Sequence, residues 1–241
     1  MTHPVLTRLR DPDASIRREA CRAAAEDPSA VLLVDALSEA LADTDPAVRR
    51  TASEALTRLA PVHDAVREAL RRALHSPEPR LRWGAAFTTA RLAPPEPGLL
   101  PALVDALAAA EADIRWAAAR ILVDLGRLHP EAQPVAAALA RTDPNPRVRR
   151  MALLCLQKLA PDDPVTVDVL LEASHDSDRR LRQAALASLA ALATPPARVE
   201  ERRVEERLAR ALDGDPDPAT RRLAASALAV AQRQKISASS E

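Results

Sequence analysis

The sequence predicts an all-α fold in which about seven helix pairs stack into an α-solenoid. Composition favours helices, because 241 residues include only four Gly, one Phe, two Trp and no Tyr, whereas the good helix formers Ala, Leu and Arg abound. A sequence pattern recurs at a period near 33 residues, which is too long for one helix and suits two. Turns rich in Asp and Pro divide the chain at a similar spacing.

An acidic turn opens most copies of the unit. Asp or Asn at a helix N-cap accepts backbone N–H bonds, and Pro fits the first helical position. Each turn therefore predicts the start of a helix. The turns lie at residues 11–13, 43–46, 76–79, 143–146, 176–178 and 215–218.

An apolar residue followed by Arg comes next, and in the last copy Thr replaces the apolar residue. From one such Arg to the next the steps are 32, 33, 33, 34, 33 and 39 residues. A catalytic group would not be needed seven times, so we interpret these residues as a structural Arg ladder bonded to turns of the same or a neighbouring repeat. The ladder consists of Arg17, Arg49, Arg82, Arg115, Arg149, Arg182 and Arg221.

The segment around this Arg carries one apolar face. With the residue before the Arg numbered zero, positions 4, 7, 8 and 11 are apolar or small, which is helical spacing; in the fifth repeat they are Ala152, Cys155, Leu156 and Leu159. Pro residues then end the helix, at 61, 94–95, 161 and 195–196. A second helix follows each break. The unit is therefore outer helix, acidic turn and inner helix, and the last outer helix, near residues 197–207, is long and charged.

The pattern Asp-x-Asp-Pro-x-Val-Arg-x-x-Ala-x-x-Ala-Leu resembles the HEAT-repeat superfamily, and most of all the bacterial HEAT-like repeats of the phycobilin-lyase type. The resemblance covers roughly residues 2–234. It implies a right-handed, armadillo-like stack with the second helix of each pair on the concave side. We expect one solenoid domain over residues 1–234 and a disordered tail over residues 235–241.

Charge, cysteines and histidines argue against several classes of function. Basic and acidic residues number 34 each, so no overall field attracts nucleic acid or an anionic membrane. No apolar run resembles a signal peptide or a membrane span, which predicts a cytoplasmic protein. Cys21 and Cys155 lie in distant repeats and cannot form a disulfide. The five His residues lack ligand spacing, and no nucleophile or phosphate-loop motif occurs. We expect no metal, no cofactor and no catalysis.

Positions 2, 6 and 9 of the inner helix point away from its apolar face, so we expect them to line the concave groove. The three aromatic residues of the chain occupy positions 2 and 6 of the third and fourth repeats: Trp83, Phe87 and Trp116. Arginines flank them in the same register: Arg18, Arg22, Arg50, Arg120 and Arg150. Trp and Arg are enriched at interface hot spots, which predicts a partner-binding patch. The structural alternative is that the aromatic rings fill gaps in an Ala-rich core.

Three functions fit this pattern. The first is a scaffold or adaptor that binds a protein or peptide, with Arg selecting acidic groups. The second is nucleic-acid binding, because alkylpurine DNA glycosylases are also built of HEAT-like repeats and use concave aromatic residues with a carboxylate; Glu54 or Asp124 would supply it here. The third is an accessory subunit similar to those of bilin lyases, for which no chromophore-handling residue can be assigned. We favour the scaffold.

Overall fold

The computed structural model describes residues 3–192 and 201–238. Over these ranges the chain forms fourteen α-helices and no strand, so the predicted all-α class is confirmed. The helices are α1 Pro4–Leu9, α2 Ala14–Ala24, α3 Val34–Glu39, α4 Pro46–Leu59, α5 Asp64–Leu74, α6 Pro79–Leu92, α7 Leu100–Leu107, α8 Ala112–Leu128, α9 Ala132–Thr142, α10 Pro146–Leu159, α11 Pro164–Ala173, α12 Arg179–Leu192, α13 Glu201–Gly214 and α14 Pro218–Ala238.

Outer and inner helices alternate along the chain. Even-numbered helices carry the apolar–Arg pattern in their first turn and are the inner helices of the sequence analysis. Odd-numbered helices are the outer ones, and short 3-10 helices at Ala30–Leu33, Ala40–Ala42 and Pro97–Leu99 extend two of them, α3 and α7. The predicted break at residues 195–196 and the start of the charged helix at residue 197 lie outside the described residues. The inner helix α14 continues past Gln234 to Ala238, where Lys235 to Ala238 include no helix-breaking residue.

The chain divides into two compact units, Met1–Ala109 and Ala110–Glu241. In the first unit α2 packs against α4 and α4 against α6. In the second unit α8 packs against α10, α10 against α12, and α12 against α14. A core of buried apolar residues extends from α1 to α6 in the first unit and from α9 to α14 in the second. One continuous solenoid over residues 1–234 remains a prediction.

Alanine at position 4 explains how closely the inner helices pack. This residue is Ala in all seven repeats and has no exposed surface in any of them. Gly84, beside Ala85, lets α6 approach the 3-10 helix Ala40–Ala42 closely: a Cβ atom there would meet Leu41 Cβ at 2.7 Å and the Leu41 carbonyl oxygen at 2.8 Å. Positions 2 and 6 are half-buried or exposed in every repeat. At position 9 the expectation was wrong for Val123, which is 5% exposed, because this apolar side chain packs inward where the other repeats carry Ala, Thr or Gln.

The acidic turns use two side chains in succession. The first Asp folds the turn by accepting a backbone N–H two residues on, as Asp43 Oδ1 does from Asp45 N at 2.8 Å. The second side chain caps the next helix, as Asp45 Oδ1 does by accepting from Ala47 N and Val48 N at 2.8 and 3.1 Å. The same bonds recur in the turns at residues 11–13, 143–145, 176–178 and 215–217. The repeated Asp-x-Asp/Asn pattern therefore encodes a turn and a cap together.

The ladder arginines bind these turns. Arg17 Nη1 donates to the carbonyl oxygens of Asp11 and Pro12 at 2.8 and 2.9 Å. The equivalent pair of bonds occurs at Arg49, Arg82 and Arg182. A bond of this kind also occurs at Arg115, to the Ala110 carbonyl oxygen, and at Arg221, to that of Asp215. Each of these side chains thus fastens an inner helix to the turn that precedes it.

Four ladder residues also reach a carboxylate of the following repeat. Arg17 Nε and Nη2 donate to the two oxygens of Asp43 at 2.7 and 2.8 Å. Three further pairs join neighbouring repeats: Arg82 with Asp105, Arg149 with Asp176, and Arg182 with Asp215. Asp105 lies on α7 and not in a turn, because Ala109 stands in the fourth repeat where five of the other six turns carry the first Asp. Within each unit these pairs link one repeat to the next.

Candidate functional site

The aromatic residues of the first unit form a stripe along α6. Trp83 and Phe87 are one helical turn apart, and their ring centroids are 5.5 Å apart at an interplanar angle of 44°. The guanidinium of Arg91, one turn further on, lies 5.9 Å from the centre of the Phe87 ring. Trp83 and Phe87 are half-buried, so both keep part of their surface in solvent. The stripe therefore offers a partner an apolar surface at Trp83 and Phe87 and a positive charge at Arg91.

Arg91 was not among the predicted site residues. Its position four residues after Phe87 is the available signal, since residues i and i+4 are neighbours on a helix surface. The predicted groove positions were 2, 6 and 9, whereas Arg91 stands at position 10 of its repeat.

Three of the predicted arginines belong to the first unit, on the inner helices that precede α6. Arg50 and Arg22 are exposed and Arg18 is half-buried. The Arg18 Nε–H is shielded from solvent and has no acceptor among the described residues. Arg22 lines a small pocket of about 170 Å³ between α2 and α4, together with Glu54. These side chains place positive charge on the same face of the inner helices as Trp83.

Trp116 in the second unit is 54% exposed. It occupies position 2 of α8, and Arg120 at position 6 is exposed as well. A Trp side chain that leaves half its surface in water loses much of the free energy that burial would provide. Trp116 therefore does not fill a gap in the core of its unit.

Arg150 on α10 occupies the position that Trp116 has in the preceding repeat. Burial, and the like charges of Arg115, Arg180 and Arg147, lower the pKa of its guanidinium, with Asp178 acting in the opposite sense. An excess of positive charge therefore surrounds Arg150, which favours an anionic group at this surface.

The two units carry the predicted patch in two parts. Trp83, Phe87, Arg18, Arg22 and Arg50 lie on the first unit, and Trp116, Arg120 and Arg150 lie on the second. The expectation that all three aromatic side chains meet in one groove stays a prediction.

The residues considered for catalysis have solvent-facing or inert surroundings. Glu54 is exposed, and Asp124 is exposed and accepts from Arg127 Nη1 at 3.4 Å. Burial raises the pKa of the Cys21 and Cys155 thiols to about 12, with the nearby Asp43 charge adding to the effect at Cys21. In the described ranges no three His, Cys, Asp or Glu side chains cluster as a metal site would require.

Comparison with known protein families decides the relationship. The family model described as HEAT repeats matches residues 2–90, 34–122 and 100–190. The chain belongs to the HEAT-repeat family. The resemblance inferred from the turn and Arg pattern is thereby confirmed, and so is the α-solenoid class of its fold. No curated protein matches the sequence.

Solved structures with the same fold include bacterial and transport-related solenoids. YibA of E. coli is 20% identical with a TM-score of 0.55, and the match covers 93% of this chain and 80% of YibA. Kap95p, whose binding to RanGDP has been described structurally, is 14% identical with a TM-score of 0.58 over 94% of this chain and 36% of its own. Importin beta is 19% identical with a TM-score of 0.57 over 97% of this chain and 34% of its own. The chain thus spans about a third of the length of these two proteins.

None of the helices in the described ranges combines the length and the apolar character needed to cross a membrane.

Proposed function

We propose that this protein is a non-catalytic scaffold or adaptor that binds a protein or peptide bearing acidic groups through the exposed face of its inner helices. The observation that carries the proposal is the 54% exposure of Trp116 at a position where the other repeats mostly carry Arg. A large aromatic side chain that the fold does not bury is available to a partner.

The aromatic side chains are suited to anchor a partner. Trp is the residue type most enriched among interface hot spots, because it buries a large area at a small cost in side-chain entropy. Trp83 and Phe87 hold each other in a tilted pair at 5.5 Å, so little further ordering is needed when a partner covers them.

The arginines suit the recognition of carboxylates. Arg50, Arg22 and Arg120 are exposed, and like charges surround Arg150. A guanidinium presents two parallel N–H groups to a carboxylate, and an acidic partner would relieve the repulsion around Arg150.

Binding fits the surroundings better than acid–base chemistry does. A general base usually has a pKa shifted by burial or by a specific charge. Glu54 and Asp124, the two carboxylates considered for that role, are both exposed. Membership of the HEAT-repeat family agrees with a binding role, as in Kap95p, which binds RanGDP.

Capture of partners from an extract of the source cell tests the proposal. The immobilised wild-type chain is compared with Trp116→Ala and with Leu128→Ala, which removes an equally exposed apolar side chain from the same helix. We expect a protein that wild type and Leu128→Ala retain and Trp116→Ala loses. A partner retained equally by all three proteins would show that the Trp116 surface is not the binding site.

Charge reversal tests the acidic nature of the partner. Arg50→Glu and Arg150→Glu are each expected to weaken capture, since a carboxylate would then face the partner's carboxylates. Arg71→Glu on the outer helix α5, where Arg71 pairs with Glu68, is the matched control. A partner that binds both reversals as tightly as the control does not use acidic groups at this face.

A further inference from the structure

A second polar pocket lies in the second unit, away from the aromatic positions. It has a volume of about 430 Å³ and lies between the end of α13, the turn that follows α13 and the turn between α11 and α12. Its lining includes Arg182, Arg207, Arg210, His175 and Gly214. The protein-binding face proposed above does not include any of these residues.

Positive charge in this pocket exceeds negative charge. Two carboxylates line it, and both are already paired: Asp176 with Arg149 at 3.1 Å and Asp215 with Arg182 at 3.3 Å. Within the described ranges, no carboxylate forms an ion pair with Arg207 or Arg210. Neither guanidinium therefore has an ion-pair partner of its own, and Asp215, whose charge acts on Arg207, is shared with Arg182.

Arg207 is held in place although it is almost entirely buried, with 8% of its surface exposed. Its Nε donates to Ser174 Oγ at 2.7 Å, and its Nη2 donates to the Ser174 carbonyl oxygen. These bonds fix the plane of the guanidinium. The Nη1 hydrogens have no acceptor in the described part of the chain. A buried cation whose nearest counter-charge is shared with another arginine is costly, so a further anion would stabilise this arrangement.

The pKa values of Arg207 and His175 in this pocket are shifted in the direction that nearby positive charge produces. Burial, together with Arg210 and Arg182, lowers the pKa of Arg207, which Asp215 alone raises. Burial and the charges of Arg207 and Arg210 lower the pKa of His175. Both shifts have the direction expected in a pocket with an excess of positive charge.

We propose that this pocket binds a phosphate monoester group, carried either by a small molecule or by a phosphorylated side chain. A phosphate monoester bears a charge of about −1.5 to −2 near neutral pH, which matches the two unpaired guanidiniums better than a carboxylate does. Arginine pairs bind its oxygens in bidentate geometry. The volume of 430 Å³ lies within the range of small-molecule sites, so the phosphate can carry a substituent.

Isothermal titration calorimetry of the full chain tests this proposal, with inorganic phosphate and O-phosphoserine as separate ligands at matched ionic strength. The principal variant is Arg210→Ala, because Arg210 is exposed and forms no hydrogen bond or ion pair with the described residues, so its loss leaves packing intact. Arg202→Ala removes an exposed Arg from the same helix, where it pairs with Glu206, and serves as control. We expect Arg210→Ala to weaken binding of both ligands at least about tenfold, and Arg202→Ala to leave it unchanged.

A second pair of variants fills the pocket without disturbing the fold. A Cβ atom at Gly214 would meet nothing within 4 Å, so a side chain can be added there. Gly214→Glu supplies a competing carboxylate, and Gly214→Gln adds the same bulk without charge. We expect Gly214→Glu to bind phosphate more weakly than Gly214→Gln.

Tighter binding of O-phosphoserine than of phosphate supports a pocket that also contacts the substituent of the ester, and equal binding supports recognition of the phosphate oxygens alone. Absence of binding beyond that of chloride would overturn the proposal, and so would equal affinities of Arg210→Ala and Arg202→Ala. Because the two surfaces share no residue, the fate of the Trp116 proposal does not affect this result.

Discussion

Trp83 and Trp116 occupy the same position of successive repeats but have different surroundings. Trp83 is half-buried against Phe87, whereas Trp116 is 54% exposed. We expect Trp83→Ala to lower the free energy of unfolding by about 2 kcal/mol, from lost burial and the lost ring pair. Trp116→Ala should change it by less than about 0.5 kcal/mol. Urea unfolding at 25 °C measures both, and an equal large loss in the two variants would mean that Trp116 is a core residue.

The two cysteines are buried, unpaired thiols. Cys155 donates its S–H to the Ala119 carbonyl oxygen on the preceding inner helix, at 3.7 Å. With a thiol pKa raised to about 12 in both residues, the thiolate fraction at pH 8 is very small. We expect iodoacetamide to modify neither residue in the folded protein and both in urea, as followed by mass spectrometry. Rapid labelling of either thiol without denaturant would contradict this burial.

The contact of α6 with the 3-10 helix Ala40–Ala42 depends on a missing side chain. At Gly84 an added Cβ would lie under 3 Å from backbone and side-chain atoms of Leu41, which cannot move aside cheaply. We therefore expect Gly84→Ala to destabilise the protein by about 1–3 kcal/mol. Gly98→Ala is the control, because a Cβ there meets nothing within 4 Å and the substitution restricts the unfolded chain. Thermal melts that place both variants at or above the wild-type midpoint would refute the tight contact.

The acidic turn between α3 and α4 links two repeats through Asp43. Burial opposes ionisation of this carboxyl, but the bidentate bond from Arg17 and the backbone N–H of Asp45 hold its pKa below the ordinary value. A carboxyl with a lowered pKa in the folded state stabilises the fold above about pH 4 and loses that contribution as pH falls through the folded-state pKa. We expect Asp43→Asn to cost about 1–3 kcal/mol at pH 7 and less at pH 3, measured by urea unfolding.

Asp11 provides the matched control for Asp43. It folds its own turn by the same bond to Asp13 N, at 2.8 Å, but as part of the first repeat it has no preceding ladder Arg. Asp11→Asn should therefore cost much less at pH 7. Equal losses in the two variants would mean that the turn, and not the bond between repeats, is what Asp43 provides.

Across the whole molecule, the repeat could be predicted from the sequence because each of its recurring features follows from local interactions. The Asp-x-Asp-Pro turn, the Arg and the small residue at position 4 each encode a bond or contact that recurs in sequence, so helix starts and the buried face could be derived before the structure. Contacts between elements could not. The Asp105 partner of Arg82 replaces a missing turn Asp from another helix, and the pocket at Arg207 arises from packing between elements. The period of the sequence does not indicate which residue of another helix takes the place of a missing partner.

The proposal that the inner-helix face binds a partner is best tested by dissociation constants. The purified partner is titrated with the wild-type chain, Trp116→Ala and Leu128→Ala. If the inner-helix face is the binding surface, Trp116→Ala should bind roughly 30-fold more weakly, the equivalent of about 2 kcal/mol. Leu128→Ala, which loses an equally exposed side chain from the same helix, should bind as wild type does. Equal dissociation constants for all three proteins would contradict the account.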